Sequence, residues 1–420
     1  MSKQILFLFT TCLLVSSLAI AYQAGAVPST SPLWHHELVL ALKNGGAYVE
    51  TEAEKPLFAH RENEHFIPAS ILKLATVAFA LKELGPDFRF QTDFFITKDE
   101  KLFVKGYGDP LLTSEELEQI AGTLHEKGVR EIKGLYLDDG YFDKSIVIDG
   151  GAHSDNPYDA TNNALYANFN TIAVRKYKNG TLTPGEAHTP LTPLAYKKAA
   201  RLKAGSHRIN LGGIKSEATL YVGELLQAFL KQKGVLVTGP VALETVPDTA
   251  NLLYEHKSSK NLEEILKGLL KYSTNITTNQ IFLVLGAKKC GAPATMEKGV
   301  MALSEFLGKE LGWKDFFIAE ASGLSRKNEV TPYEMVVLLR YLDPYKELFP
   351  KKEDGLFMAK TGTLNGVSTL AGYMPLEQGG YARFVLIVND TVSYAYKFKV
   401  GRLLYAALNP SQKQSVLNKK

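Results

Sequence analysis

Between about residues 91 and 259 the apolar pattern of this 420-residue chain is that of short strands, while long helices and closing strands lie on either side. The middle runs, such as Phe94-Phe95-Ile96, Leu102-Phe103-Val104 and Gly134-Leu135-Tyr136-Leu137, are bounded by Gly, Asp and Pro. One amphipathic helix interrupts them over residues 114–127, with Thr113 or Ser114 available as its cap. Upstream, a strand-like opening from Pro32 leads into a helix over residues 70–84, stopped by Gly85-Pro86. Downstream come helices over 260–272, 280–287 and 296–311, strands over 370–374 and 384–388, and a last helical segment over 394–408. The lysine-rich stretch from Asn409 reads as a frayed tail. Strand and helix before, helices and strands after, and a different pattern between predict an α/β fold. Its one discontinuous domain, residues 27–90 with 260–420, is interrupted by a β-rich insert of one or two domains at 91–259.

The first residues are expected to lie outside that fold. Lys3 precedes an apolar stretch over residues 5–20, followed by the small-x-small triplets Ala19-Ile20-Ala21 and Ala24-Gly25-Ala26. That is the pattern of a secretory signal peptide within residues 1–26, cut after Ala21 or Ala26. A membrane anchor fits less well, because the run is short and no basic stop-transfer cluster follows. Cleavage would remove Cys12 and leave Cys290 alone, so an intrachain disulfide, a zinc ribbon and a disulfide scaffold are all excluded. The expectation is an exported protein held together by its core alone. Its 48 basic and 44 acidic residues leave a net charge of only +4, spread along the chain, which does not point to nucleic acid. Peripheral membrane association is not required. There is no P-loop, no G-x-G-x-x-G after a strand and no H-E-x-x-H among the nine histidines, so nucleotide and metal-hydrolase chemistry lack support.

Chemistry is suggested first by Ser70-Ile71-Leu72-Lys73. A serine hydroxyl is a poor nucleophile unless a base stands beside it. Three residues on, at the start of a helix, Lys73 shares its face. Set among Ile71, Leu72, Leu74 and Ala75, that lysine would lose its proton more easily than one in water. The bland reading is a helix cap and a solvated lysine; S-x-x-K occurs once here. Lys360-Thr361-Gly362-Thr363 stands just before a strand pattern at 368–374, where Gly lets a backbone approach and Lys and Thr can hold a carboxylate. A plain turn is its alternative. Three S-x-N elements are present: Ser154-Asp155-Asn156, Ser259-Lys260-Asn261 and Ser273-Thr274-Asn275. The first lies in a Gly/Asp-rich loop, with Asp155 expected in a turn, and the second reads as the cap of the helix at 260. The third is a polar break between two apolar helices, where side chains can be aimed rigidly into a cleft, and Ser273 and Asn275 are preferred.

In order, S-x-x-K, S-x-N and K-T-G are the signature of penicillin-recognising serine acyl-transferases. The chain resembles the class C low-molecular-mass penicillin-binding proteins, the D-alanyl-D-alanine carboxypeptidase/endopeptidase family, over nearly everything between leader and tail. The resemblance rests on Gly106-Tyr107-Gly108-Asp109-Pro110, Gly134-Leu135-Tyr136-Leu137-Asp138-Asp139, Ala321-Ser322-Gly323-Leu324-Ser325-Arg326 and Ala359-Lys360-Thr361-Gly362-Thr363-Leu364. Residues 158–170 look like the family's insert, and Glu320 stands where the family has Asp.

The resemblance implies a transpeptidase (β-lactamase-like) domain with an antiparallel sheet and a helical half, interrupted after the nucleophile helix. It implies that Ser70 attacks the carbonyl between two D-alanines of a peptidoglycan stem peptide and that Lys73 takes its proton. Ser273 would pass a proton to the leaving amine, and Asn275 would orient Lys73 and the substrate amide. Lys360, Thr361 and Thr363, around Gly362, would hold the terminal carboxylate. The backbone N–H groups of Ser70 and Thr363 would form the oxyanion hole, and Arg326 would line the groove. β-Lactams would be covalent inhibitors, and no metal or organic cofactor is implied. Two other readings share part of this pattern: a serine β-lactamase or esterase, and a non-catalytic wall-binding or β-lactam-sensing module. The first lacks a recognisable water-activating base here. The second does not explain why nucleophile, base, relay and clamp are all intact.

Overall fold

The computed structural model describes residues 32–151 and 159–417. The expectations placed on the leader, Ser154, Asp155, Asn156 and Tyr158 lie outside the described residues. The chain opens with helix α1 (Leu33–Leu42) rather than the expected strand, and then forms the hairpin β1 (Gly45–Thr51) and β2 (Pro56–His60). Leu38 and Leu42, four apart, are the fully buried residues of α1, so one stripe of it docks while the rest faces solvent. The nucleophile segment follows as a short 3-10 turn, Ala69–Leu72, running directly into α2 (Lys73–Leu84). All residues of α2 from Lys73 to Leu81 are buried, which is why its sequence is apolar all round. Gly85, at φ +80°, ends it.

Among the described residues the middle of the chain holds ten strands and three helices. These are β3 (Gln91–Ile96), β4 (Leu102–Gly106), α3 (Ser114–Glu126), β5 (Glu131–Ile132), β6 (Leu135–Asp138), β7 (Thr171–Lys176), β8 (Leu182–Pro184), α4 (Pro193–Ala199), β9 (Gly205–Asn210), α5 (Lys215–Gln232), β10 (Leu236–Val237), β11 (Val241–Leu243) and β12 (Asn251–Lys257). They form a mixed sheet in the order β11-β6-β4-β3-β12, an antiparallel sheet β8-β7-β9 and a parallel pair β10-β5. One apolar core joins them: Leu117, Ile120 and Leu124 of α3 and Leu225, Leu226 and Phe229 of α5 pack with Phe94, Leu135, Ile172 and Val174. The α3 cap expectation is met in position only, since Thr113 is the N-cap residue but its side chain makes no capping bond.

The chain then returns through α6 (Leu262–Tyr272), α7 (Asn275–Cys290), α8 (Met296–Leu311) and α9 (Pro332–Leu342). The α6 cap is Asn261, in a reciprocal box with Glu264, not Ser259, whose backbone N–H is instead bonded to Glu116. Last come β13 (Lys351–Lys352), β14 (Phe357–Leu364), β15 (Val367–Pro375), β16 (Tyr381–Val388), α10 (Tyr396–Leu408) and α11 (Lys413–Leu417). Residues 409–417 of the tail are therefore not frayed as expected: Val416 is buried, and the Asn409 amide donates to the Pro375 carbonyl.

The two flanking segments meet in one antiparallel six-stranded sheet, β13-β14-β15-β16-β1-β2, with Val49 opposite Phe384 and Leu370 opposite Leu386. Alternate residues face opposite ways. Tyr48, Ala371, Tyr373, Val385 and Ile387 enter the core shared with α2 and α6–α9. Val49, Leu370, Met374, Phe384 and Leu386 pack on the other face with α1 and α10. Both faces are covered, which accounts for continuous apolar runs in an antiparallel sheet. At the sheet's rim, Arg383 and Arg340 donate to the fully buried Glu50 carboxylate at 2.9 and 2.7 Å, and Arg383 also bonds Asp343, tying the segment after α9 to β1 and β16.

Candidate active site

Ser70 sits in the 3-10 turn, at the join between helical half and sheet. In a 3-10 turn the side chains three residues apart eclipse, so Lys73 comes directly over Ser70. Its Nζ lies 2.9 Å from Ser70 Oγ. Ala69, just before the nucleophile, has φ +48°, a left-handed conformation that a β-carbon disfavours. Two glycines let the turn sit against its neighbours. A β-carbon on Gly362 would stand 2.1 Å from Thr369 Oγ1 and 2.9 Å from Ser70 N, and one on Gly323 (φ +76°) 1.9 Å from the Ala69 carbonyl oxygen. Thr369 Oγ1 also donates to the Pro68 carbonyl at 2.9 Å, pinning the turn to β15.

Lys73 is fully buried, and burial pulls its pKa from 10.5 down to about 7, with Glu320 opposing the drop. Besides Ser70, its Nζ faces Asn275 Oδ1 at 2.8 Å and the Ser322 carbonyl oxygen. Those two oxygens can only accept. A neutral amine therefore gives its two N–H groups to them and turns its lone pair to the one partner that can donate, the Ser70 hydroxyl. This is the arrangement a general base needs.

Ser273 is the left-handed C-cap of α6 (φ 59°, ψ 38°), and Asn275 is the first residue of α7. The polar break thus brings its two side chains to two lysines of the site, Asn275 to Lys73 and Ser273 to Lys360. Lys360 Nζ donates to Ser273 Oγ at 2.7 Å and to the Thr361 carbonyl at 2.6 Å. Lys360 is only 1% exposed, and its pKa lies well below the ordinary value through burial, then repulsion from Lys73, Lys352 and Lys397. The K-T-G segment precedes strand β15, as expected, and is itself part of a strand, lying within β14 and paired residue by residue with β15. On its other side β14 pairs with β13 only at Phe357 and Met358, so beyond them no strand covers that edge among the described residues. Period-two alternation aims Lys360 and Gly362 at the helical half and Thr361 and Thr363 at the α10 side.

Ser70, Lys73, Ser273, Asn275 and Lys360 are therefore brought together, with Thr361, Gly362 and Thr363 on the adjoining strand. Arg326 stands at the rim, exposed, donating to the Asn365 carbonyl in the turn after β14. Ser259 is elsewhere, against α3. Sequence reading missed Glu320 as a working residue. Fully buried, it accepts from the Ser322, Leu324 and Ser325 backbone N–H groups at 2.7, 2.7 and 3.2 Å and from the Asn279 and Asn328 side chains. It thereby shapes the loop whose Ser322 carbonyl meets Lys73. Lys397, whose Nζ donates to Thr363 Oγ1, also went unnoticed, since nothing in its α10 sequence sets it apart from a surface lysine. A cavity of about 220 Å³ adjoins Asn275, lined among others by Ile148, Ala160, Lys215, Ile276 and Leu324.

The sequence profile of the D-Ala-D-Ala carboxypeptidase 3 (S13) family matches residues 39–348 and 345–400. The chain belongs to this family. It is 27% identical over 419 residues to a D-alanyl-D-alanine carboxypeptidase of Actinomadura, covering 81% of this chain and 76% of that one. To the D-alanyl-D-alanine carboxypeptidase DacB of Haemophilus influenzae it is 26% identical over 385 residues, 77% of this chain and 80% of that one. Among solved structures, penicillin binding protein 4 of Haemophilus influenzae superposes with a TM-score of 0.73 at 22% identity, over 88% of this chain and 99% of that one. The fold is that of the low-molecular-mass penicillin-binding proteins, a transpeptidase domain with inserted domains.

Proposed function

We propose that this S13-family protein is an exported serine D-Ala-D-Ala carboxypeptidase, also able to cleave cross-links as an endopeptidase, working through an acyl-enzyme at Ser70. The observation that carries the reading is the buried Lys73 amine 2.9 Å from Ser70 Oγ, with its pKa lowered to about 7. Lys73 takes the hydroxyl proton as Ser70 Oγ attacks the carbonyl of the penultimate D-alanine. The backbone N–H groups of Ser70 and Thr363 receive the oxyanion. Ser273 passes a proton to the departing amine, its hydroxyl oxygen held by Lys360. Lys360, Thr361 and Thr363 hold the terminal carboxylate: Lys360 is buried and, among the described residues, makes no ion pair with a carboxylate, a setting that favours an anionic substrate end. Water then releases the shortened peptide. Residues 27–90 with 260–420 form the catalytic unit and 91–259 the insert.

A β-lactam complex of the Haemophilus protein and a penicillin G-acylated predatory endopeptidase of Bdellovibrio bacteriovorus, the latter at TM-score 0.51, lend this chemistry support by analogy. Intact-protein mass spectrometry after benzylpenicillin tests it. The expected result is an adduct lasting minutes and mapping to the Ser70 peptide. Rapid turnover to penicilloate without an adduct would mark a β-lactamase, and complete inertness a non-catalytic module.

A further inference from the structure

Lys397 belongs to α10, on the side of the sheet away from Ser70 and Lys73. It is 2% exposed, and its Nζ lies 4.3 Å from the centroid of the Tyr394 ring, with a hydrogen bond to Thr363 Oγ1. Burial lowers its pKa to about 8, so it is largely protonated at neutral pH. One helical turn later, Gly401 brings α10 close to the sheet, where a β-carbon would meet Leu370 and Phe357 at 3.1 and 3.2 Å. The helix is thus seated tightly enough for a lysine to reach across the end of β14. Among the described residues no carboxylate pairs with it, and a buried cation in that position is costly to keep unless an anion arrives.

The hydroxyl chemistry gives the arrangement a direction. An ammonium group can only donate, so at Thr363 it occupies an oxygen lone pair and leaves the hydroxyl hydrogen to be donated elsewhere. Thr363 is exposed, so that hydrogen is available to a ligand lying along the open edge of β14. We propose that Lys397 is a positioning residue for the carboxylate subsite, fixing Thr363 as a hydrogen-bond donor and adding a second positive charge behind it. The proposal rests on the reading of Lys360, Thr361 and Thr363 as the clamp for the substrate's terminal carboxylate.

The test compares kcat/KM for a D-Ala-D-Ala-terminated peptide with a free carboxylate and for the same peptide as its terminal amide. The free-acid to amide ratio is independent of how much of each preparation is folded. It is measured for wild type, Lys360→Ala, Lys397→Met, Lys397→Arg, Thr363→Val and the double variant Lys397→Met/Thr363→Val. Lys397→Met should lower the ratio about tenfold, as expected for a lost charge-assisted contact, and Lys397→Arg should restore most of it. In the Thr363→Val background, Lys397→Met should have much less effect, because its route to the substrate is gone. A wild-type ratio in Lys397→Met, with Lys360→Ala still lowering it, overturns the proposal and leaves the clamp standing. Effects of Lys397→Met and Thr363→Val that simply multiply would also overturn it. If Lys360→Ala itself keeps the wild-type ratio, the clamp falls and this proposal with it.

Discussion

Protonation of one buried amine sets the pH behaviour of the site. Because Lys73 must be neutral to accept the Ser70 proton, the rate constant for acylation by benzylpenicillin should rise with pH through about 7 and then level. A limb near the ordinary lysine value of 10.5 would show that Lys73 is not the base. Stability follows the same group with a definite sign. Between about 7 and 10.5 the unfolded chain binds a proton that the folded site refuses, so this lysine's contribution makes the fold more stable as pH rises through that window. Glu320, whose charge opposes the drop, is the neighbour that tunes its position. Ser273→Ala should lower acylation by roughly 10²–10⁴-fold, the usual cost of a lost proton-transfer partner. Ser259→Ala should leave the rate unchanged and, since Asn261 caps α6, should not cost the helix its cap either. Stopped-flow acylation of the two variants separates the segments; collapse in Ser259→Ala alone would sink the assignment.

Strand β14 and the Ser70 turn are in contact at distances that leave no room for a side chain. Gly362→Ala would place a methyl 2.1 Å from Thr369 Oγ1 and 2.9 Å from Ser70 N, so turn and strand must separate. Overpacking of this kind costs about 1–3 kcal/mol. Separation also moves the Ser70 N–H, one of the two groups expected to receive the oxyanion, for which a lost donor costs about 10²–10³ in rate. A modest fall in melting temperature combined with near-complete loss of acylation is therefore expected. An alanine variant acylated at the wild-type rate would show that the turn and β14 are not held as described. Helix α7 makes a related point about elements. It begins at Asn275, five residues before the apolar pattern starts, because Thr277, Thr278, Asn279 and Gln280 are buried although polar. Gln280 donates to the Asn163 carbonyl at 2.7 Å and accepts from Asn162 at 2.7 Å, while Asn279 meets Glu320. Partners supplied by the insert and the 320–328 loop make those polar residues compatible with a core, and no periodicity in α7 itself reveals them.

At the scale of the whole molecule, the sheet is assembled from two segments about 290 residues apart, and the Glu50, Arg340, Arg383 and Asp343 cluster spans that separation. Removing one partner from a buried ion network leaves uncompensated charge and costs about 3–5 kcal/mol. Glu50→Ala should fall at the low end, because Asp343 still pairs Arg383 and Arg340 is partly exposed. Urea denaturation should show a lower midpoint with an unchanged slope. A variant as stable as wild type would mean that the network adds nothing to joining the segments.

How much of this is written in the chain depends on the range of the interaction. Short-range chemistry is legible: Ser70 three residues before Lys73, the Ser273–Asn275 break, the Lys360–Thr363 run and the switch from helix to strand patterns all act within a turn or a strand. Their order along the chain, together with the family resemblance, was enough to assign the fold class and to choose Ser273 over Ser154 and Ser259 as the serine to test. Tertiary structure alone decided the rest. Residues 33–42 became a helix because Leu38 and Leu42 found an apolar sheet face to cover, and residues 413–417 became a helix because Val416 found the same core. The K-T-G run became strand because β15 pairs with it. Lys397 and the Ser322 carbonyl entered the site through contacts across 34 residues or more, Glu320 by shaping the loop that carries that carbonyl, and burial, which lowers the Lys73 pKa, belongs to no local segment. A sequence records which groups are available along the chain; desolvation and long-range partners come into being only when distant segments close around them.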